Sequence, residues 1–151
     1  IFTFCNKNEV AEKKYKEAIT FFHKKDLNQS LKLFTEVKKI DSEYKDVRLY
    51  LGKIYYYAGK FEEASKNFER ASNKNPENIN LQIWTLKSNF AYKKQPEDIK
   101  QYLKKTEELV ELDSNNIELL LLQAKFYFMN KNMEKSIAVY RKIIQLEEEI
   151  S

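Results

Sequence analysis

The chain has 151 residues, a formal net charge of +4 and 33% charged residues. It is long enough for a domain with a real core, but two glycines and two prolines leave almost no material for tight turns or β-hairpins. The single cysteine, Cys5, excludes an internal disulfide and a cysteine zinc site, no apolar stretch reaches membrane-spanning length, and three arginines (Arg48, Arg70, Arg141) among lysines interleaved with glutamates argue against nucleic acid as a partner.

Residues 1–8 read as an N-terminal tail, and four helix pairs follow. The first pair is expected from about Glu9 to Lys24 and from Leu27 to Ile40. Tyr15, Ala18, Ile19 and Phe22 recur at helical spacing in one helix, and Leu27, Leu31, Phe34 and Val37 in the other. Lys25-Asp26 is the corner between them. The second pair is expected over Glu43–Ala58 and Phe61–Asn73. Gly59 sits where the first helix must stop, because it adopts a left-handed conformation at little steric cost. Asn75-Pro76 closes that pair and prepares the next helix.

The third pair is irregular. Its helices are expected over Glu77–Lys93, with Ile83, Trp84, Leu86 and Phe90, and over Glu97–Leu112. The turn Lys94-Gln95-Pro96 is longer than its equivalents. Asp113-Ser114-Asn115-Asn116 reads as a turn followed by an N-cap. The fourth pair is expected over Ile117–Met129 and Met133–Glu148, with Asn130-Lys131-Asn132 as a corner whose asparagines tolerate the left-handed conformation. Its first helix is apolar nearly all round and should be sandwiched between neighbours.

The pairs repeat. Ala18 and Gly52 stand 34 residues apart, as do Phe21 and Tyr55, Ser30 and Ala64, Phe34 and Phe68, and Val37 and Ala71. The same pattern returns as Ala124, Tyr127, Ser136, Tyr140 and Ile143. A period of this length is the mark of a stacked-helix solenoid. An unrelated bundle would have to match at one offset by accident, and HEAT-like pairs need a longer period. The repeats divide at about 11–44, 45–78, 79–116 and 117–150 within an array covering residues 9–151.

The span from Arg48 to Pro76 resembles a tetratricopeptide repeat through Leu51-Gly52, Tyr55, Ala64, Phe68, Ala71 and Pro76. Small residues belong where the helices of a pair cross, and aromatics fill the space between one pair and the next. The third repeat departs from the pattern, because Tyr102 falls where a small residue is expected. The resemblance implies an all-α fold, a right-handed α-solenoid of about four antiparallel helix pairs. Such arrays leave a concave face lined by the first helix of each pair.

By that resemblance the groove residues are Tyr15, Ile19, Phe22 and His23 in the first repeat and Leu49, Lys53, Tyr56 and Tyr57 in the second. The third contributes Lys87, with Phe90 or Tyr92, and the fourth Leu121, Lys125, Phe128 and Met129. An aromatic groove with a few lysines suits a protein or peptide ligand, extended or helical, with apolar anchors and acidic residues. Chaperone-tail binding is disfavoured. The first carboxylate-holding positions of that subclass, Lys and Asn there, carry Tyr15 and Ile19 here, which lack the cation and the amide that offset desolvation of a carboxylate.

Enzyme chemistry finds no support. His23 is the only histidine and lies far from Cys5, no Gly-rich phosphate loop exists, and adjacent glutamates such as Glu62-Glu63 splay apart on a helix. No cofactor or metal is expected. Ile1-Phe2-Thr3-Phe4-Cys5 before Asn6-Lys7-Asn8 is similar to the end of a bacterial lipoprotein signal with Cys5 lipidated, although Phe4 stands where that pattern wants a small residue. Two locations therefore stay open. One is cytoplasmic. The other is the bacterial periplasm or cell surface, as a lipid-anchored member of an envelope assembly complex whose only membrane contact is through Cys5.

Overall fold

The computed structural model describes residues 2–151, with side chains from residue 6 onward. Eight α-helices and no strand occur among these residues, so the fold is all-α. They form two compact units, residues 1–77 and 78–151.

The first unit holds α1 (Phe2–His23), α2 (Leu27–Ile40), α3 (Val47–Tyr57) and α4 (Phe61–Lys74). Helix α1 starts at Phe2 and not near Glu9, since no glycine or proline between them breaks it. Helix α3 starts later than the expected Glu43. Asp41 Oδ1 accepts from the Glu43 N–H and the Val47 N–H closes on the Tyr44 carbonyl, which holds the connection as turns. The core gathers Tyr15, Ala18, Phe34, Val37, Val47, Leu51 and Ile54. Phe34 stacks on Tyr50 of α3 with ring centroids 4.9 Å apart, and Tyr15 meets both edge-on.

Within a pair, the fourth residue after the N-cap of the second helix faces a small residue of the first. Ser30 Oγ donates to the Ala18 carbonyl at 2.9 Å, and Ser136 Oγ donates to the Ala124 carbonyl at 2.9 Å. The equivalent pair in the second repeat, Ala64 and Gly52, is buried without a hydroxyl. Gly52 has a sharper reason for its size: a Cβ there would stand 2.6 Å from Phe68 Cε1.

The second unit holds α5 (Ile79–Tyr92), α6 (Pro96–Leu112), α7 (Ile117–Met129) and α8 (Met133–Ile150). Asn78 and Asn116 each cap their helix, accepting from Leu81 N–H at 3.2 Å and Leu119 N–H at 3.1 Å. Helix α5 therefore begins after Asn78, two residues later than Glu77 would place it. The core combines Ile83, Leu86, Ile99, Tyr102, Leu103, Leu109, Leu119, Phe126 and Tyr127.

Three corners share one hydrogen-bond pattern. The Asp26, Lys60 and Asn132 N–H groups reach back to the carbonyls of Phe21, Tyr55 and Tyr127 at 3.0, 2.9 and 2.9 Å. The residue before each is left-handed: Lys25 (φ 63°), Gly59 (φ 75°) and Lys131 (φ 61°). This is the Schellman stop. At the last corner the left-handed residue is Lys131 and not an asparagine, because the ring of hydrogen bonds closes around position 131 whatever side chain stands there.

The α5–α6 corner is built differently. The Lys93 N–H closes on the Asn89 carbonyl, Gln95 is extended (ψ 154°), and Pro96 opens α6. Asp98 Oδ2 accepts from the Gln95 N–H at 3.1 Å. Tyr102 is not at the helix crossing. It is buried against Phe90 and Phe126 and donates its hydroxyl to the Lys93 carbonyl at 3.0 Å, tying α6 back to the end of α5. The crossing position, four residues past the N-cap, holds Ile99. With a large residue there, α5 and α6 pack less extensively than the other pairs, and α6 packs more extensively on α7.

Candidate partner-binding faces

In the first unit α1 and α3 lie side by side, joined by the edge-on contacts of Tyr50 with Tyr15 (6.2 Å) and Phe22 (5.2 Å). Past this aromatic core, the C-terminal ends of the two helices open into a cleft of about 430 Å³ lined by Phe22, His23, Lys25, Leu27 and Tyr57. The left-handed Lys25 makes it possible, since the stop there turns the chain so that Leu27 returns against the end of α1. Tyr57 is 57% exposed. Tyr56 is half-buried, edge-on to Phe61 at 5.3 Å and to Tyr57 at 6.2 Å. Ile19 packs partly against the core, Leu49 is half-buried, and the Lys53 ammonium stands 6.0 Å from the Tyr50 ring.

Tyr15 does not belong to an open face. It is only 6% exposed, enclosed by Phe34, Tyr44 and Tyr50, and burial pushes its hydroxyl pKa up to about 12. Its spacing fits groove and core equally well, and the neighbouring tyrosines of the following connection and helix decide for core.

In the second unit α5 and α7 lie side by side through Phe90 and Phe126, 5.4 Å apart. Lys87 pairs with Glu118 at 3.1 Å and sits 4.6 Å from the Trp84 ring, and Lys125 sits 4.6 Å from the Phe90 ring. These lysines are held by aromatic faces on the helices themselves. Leu121, Phe128 and Met129 are exposed beside them, Phe128 at 56%. Met129 also lines a cleft of about 300 Å³ with Lys94, Pro96, Ile99, Asn130 and Lys131.

Phe22, His23 and Tyr57 thus come together in one cleft and Met129 lines another, while Tyr15 lies in the core and Ile19 packs partly against it. Sequence periodicity missed Lys25, Leu27, Lys94, Pro96 and Ile99 as lining residues. Lys25, Lys94 and Pro96 belong to corners or a helix start and carry no helical spacing, while the spacing of Leu27 and Ile99 marks them as apolar helix positions without showing that they face a cleft. Cys5, the expected lipidation residue, has its side chain outside the described residues. Among the described residues no group of His, Cys, Asp and Glu is placed to hold a metal ion, and no helix is long and apolar enough to cross a membrane.

Paired helices with small crossing residues and aromatic fillers define a helical-repeat protein. A tetratricopeptide repeat model matches residues 9–89 and a second matches residues 118–147, so the chain belongs to the tetratricopeptide repeat family. Neither match includes residues 90–117, the stretch that carries the α5–α6 corner and α6. No curated protein matches the chain in sequence. Among solved structures, a MamA RS-1 double mutant is 13% identical with a TM-score of 0.81, over 93% of this chain and 77% of that one. MamA from Desulfovibrio magneticus RS-1 is 14% identical (TM-score 0.79, 92% and 76%). TTC0263, a thermophilic TPR protein of Thermus thermophilus, is 14% identical (TM-score 0.68, 91% and 75%). Identities this low carry the fold alone. Family membership supports a protein-interaction scaffold, and members of the family are generally non-catalytic.

Proposed function

We propose that this chain is a non-enzymatic scaffold that binds a peptide segment of a partner protein on the exposed faces of its first helices. The observation that carries the reading is the cleft at the ends of α1 and α3. Phe22, Leu27 and Tyr57 supply apolar wall, with His23 and Lys25 beside them. Such a site takes an apolar anchor, and a cation at the rim favours an acidic residue next to it. In the second unit Leu121, Phe128 and Met129 offer apolar contact area, with Lys125 close by. Rigid aromatics lose little entropy on binding, which makes them efficient anchors.

The test is selection from a random displayed-peptide library on the full chain, followed by affinity measurement. Enriched peptides should carry a large apolar residue near Asp or Glu. Tyr57→Ser or Phe128→Ser should weaken them by about tenfold or more, about 1.4 kcal/mol or above, without moving the melting temperature. Absence of enrichment, or affinity indifferent to both substitutions, would overturn the reading.

A further inference from the structure

The two units carry their clefts at corresponding corners. The first lies at the ends of α1 and α3, and the second lies where the α5–α6 corner meets the end of α7. Their linings differ in chemistry. Phe22, Leu27 and Tyr57 wall the first, whereas Lys94 and Lys131 enter the second beside Pro96, Ile99 and Met129. The irregular corner makes this second cleft. Lys93 and Gln95 are extended, so the chain leaves α5 without turning back on it, and Pro96 starts α6 only afterwards. The other corner is tight, with Lys131 left-handed after Asn130.

The lysines around this cleft lack counterions. Elsewhere ammonium groups meet carboxylates, as Lys14 does with Glu36 and Lys87 with Glu118. Lys94, Lys125 and Lys131 are exposed and form no ion pair among the described residues. Lys94 and Lys125 share one ring instead: their ammonium groups stand 5.1 and 4.6 Å from the centre of Phe90. They are therefore no farther apart than about one Debye length at 0.1 M salt, and they repel each other. A bound carboxylate relieves that repulsion and gains charge-assisted hydrogen bonds. Pro96, Ile99 and Met129 supply the apolar wall for an aliphatic side chain next to it.

We propose that this cleft binds an acidic peptide segment of a partner protein. An Asp or Glu side chain is held by Lys94 and Lys131 within the field of Lys125, and an aliphatic neighbour rests on Pro96 and Met129. The inference rests on the scaffold reading above and adds to it a second, charged anchor. A nucleic-acid backbone fits less well, since no arginine stands here and Glu97 and Asp98 open the adjoining helix with negative charge. Helix α5 begins and α8 ends at the opposite end of the unit, Ile150 about 25 Å along α8 from its start. A segment of this chain on either side of the unit therefore sets out from that end and not beside the cleft.

The experiment titrates the full chain with the blocked peptide acetyl-Gly-Ser-Leu-Asp-Asp-Ser-Gly-amide and follows amide chemical shifts. Saturable shifts are expected at Lys94, Ile99 and Met129 to Lys131. Replacing both peptide aspartates by asparagine should weaken binding by about tenfold or more, and so should Lys94→Gln with Lys131→Gln in the protein. If a change at the left-handed position 131 disturbs the corner, Lys94→Gln with Lys125→Gln replaces that pair. Lys13→Gln with Lys39→Gln removes the same charge from the first unit and should leave the affinity unchanged, as should Tyr57→Ser in the first cleft. The probe is designed and not selected, so a failed library enrichment leaves this titration standing. Shifts confined to His23, Leu27 and Tyr57 would keep the scaffold reading and overturn this one. Absence of any shift, equal binding of the asparagine peptide, an equal loss in the Lys13/Lys39 variant, or inorganic phosphate shifting the same amides with higher affinity would also overturn it.

Discussion

The α3–α4 and α5–α6 pairs solve the same problem with different parts. In the former, the chain stops at a left-handed Gly59, and Gly52 and Ala64 let the helices approach until Phe68 lies on the Gly52 backbone. In the latter there is no left-handed residue, Ile99 occupies the crossing, and a buried tyrosine hydroxyl bonded to the Lys93 carbonyl holds the corner. The difference teaches that the repeat motif is a device for close approach. Where the approach is relaxed the motif lapses, and the helix seeks its packing from α7 instead.

The largest expected effect tests that close approach. Gly52→Ala places a methyl group 2.6 Å from the Phe68 ring, and should cost about 1–3 kcal/mol in a denaturant melt. Phe68→Ala should cost about 3–5 kcal/mol by opening a cavity. If the double variant Gly52→Ala/Phe68→Ala loses as much as the sum of the two, the ring does not set the size of residue 52.

A middle-sized effect belongs to the second unit. Tyr127 has its pKa pushed up to about 12, by burial first and then by its bond to Glu107. A folded-state pKa above the unfolded value of about 10 means that the neutral phenol is preferred in the fold. The stabilisation is then complete below pH 10 and is lost as pH rises from 10 through about 12. Tyr127→Phe should lose about 1 kcal/mol at neutral pH and show a shallower decline above pH 10. An identical alkaline slope in both proteins would remove Tyr127 from the account.

The smallest effect sharpens the comparison of corners. Lys131→Gly should raise stability by about 0.5–1 kcal/mol, since glycine adopts the same φ without steric cost. Gly59→Ala should lower it by about 1 kcal/mol through the backbone alone, because no atom stands within 4 Å of the added methyl. Lys94→Gly, in the corner without a left-handed residue, should bring no gain.

The helix pairs were legible because their apolar spacing and three of their corners follow local rules. Gly59 advertises its left-handed conformation, while Lys25 and Lys131 do not, because lysine has no preference for it and takes it only where the hydrogen-bonded stop demands. Tyr15 was misplaced for a related reason: its neighbours in space, Tyr44 and Tyr50, come from outside its own helix. Ile99 escaped notice because the motif locates the crossing by counting from an even period, and the corner of the third repeat breaks the count. Phe22, His23 and Tyr57 were readable as surface candidates from their repeat positions. The cleft they share was not, since Lys25 and Leu27 complete it.

The most direct test of the proposed scaffold role is amide chemical-shift mapping of the full chain with a library-selected peptide. The account predicts saturable shifts at the ends of α1 and α3, around His23, Leu27 and Tyr57, or around Lys125 and Phe128 on α7. Shifts centred instead on the solvent faces of α4 or α6, with these helices silent, would contradict it.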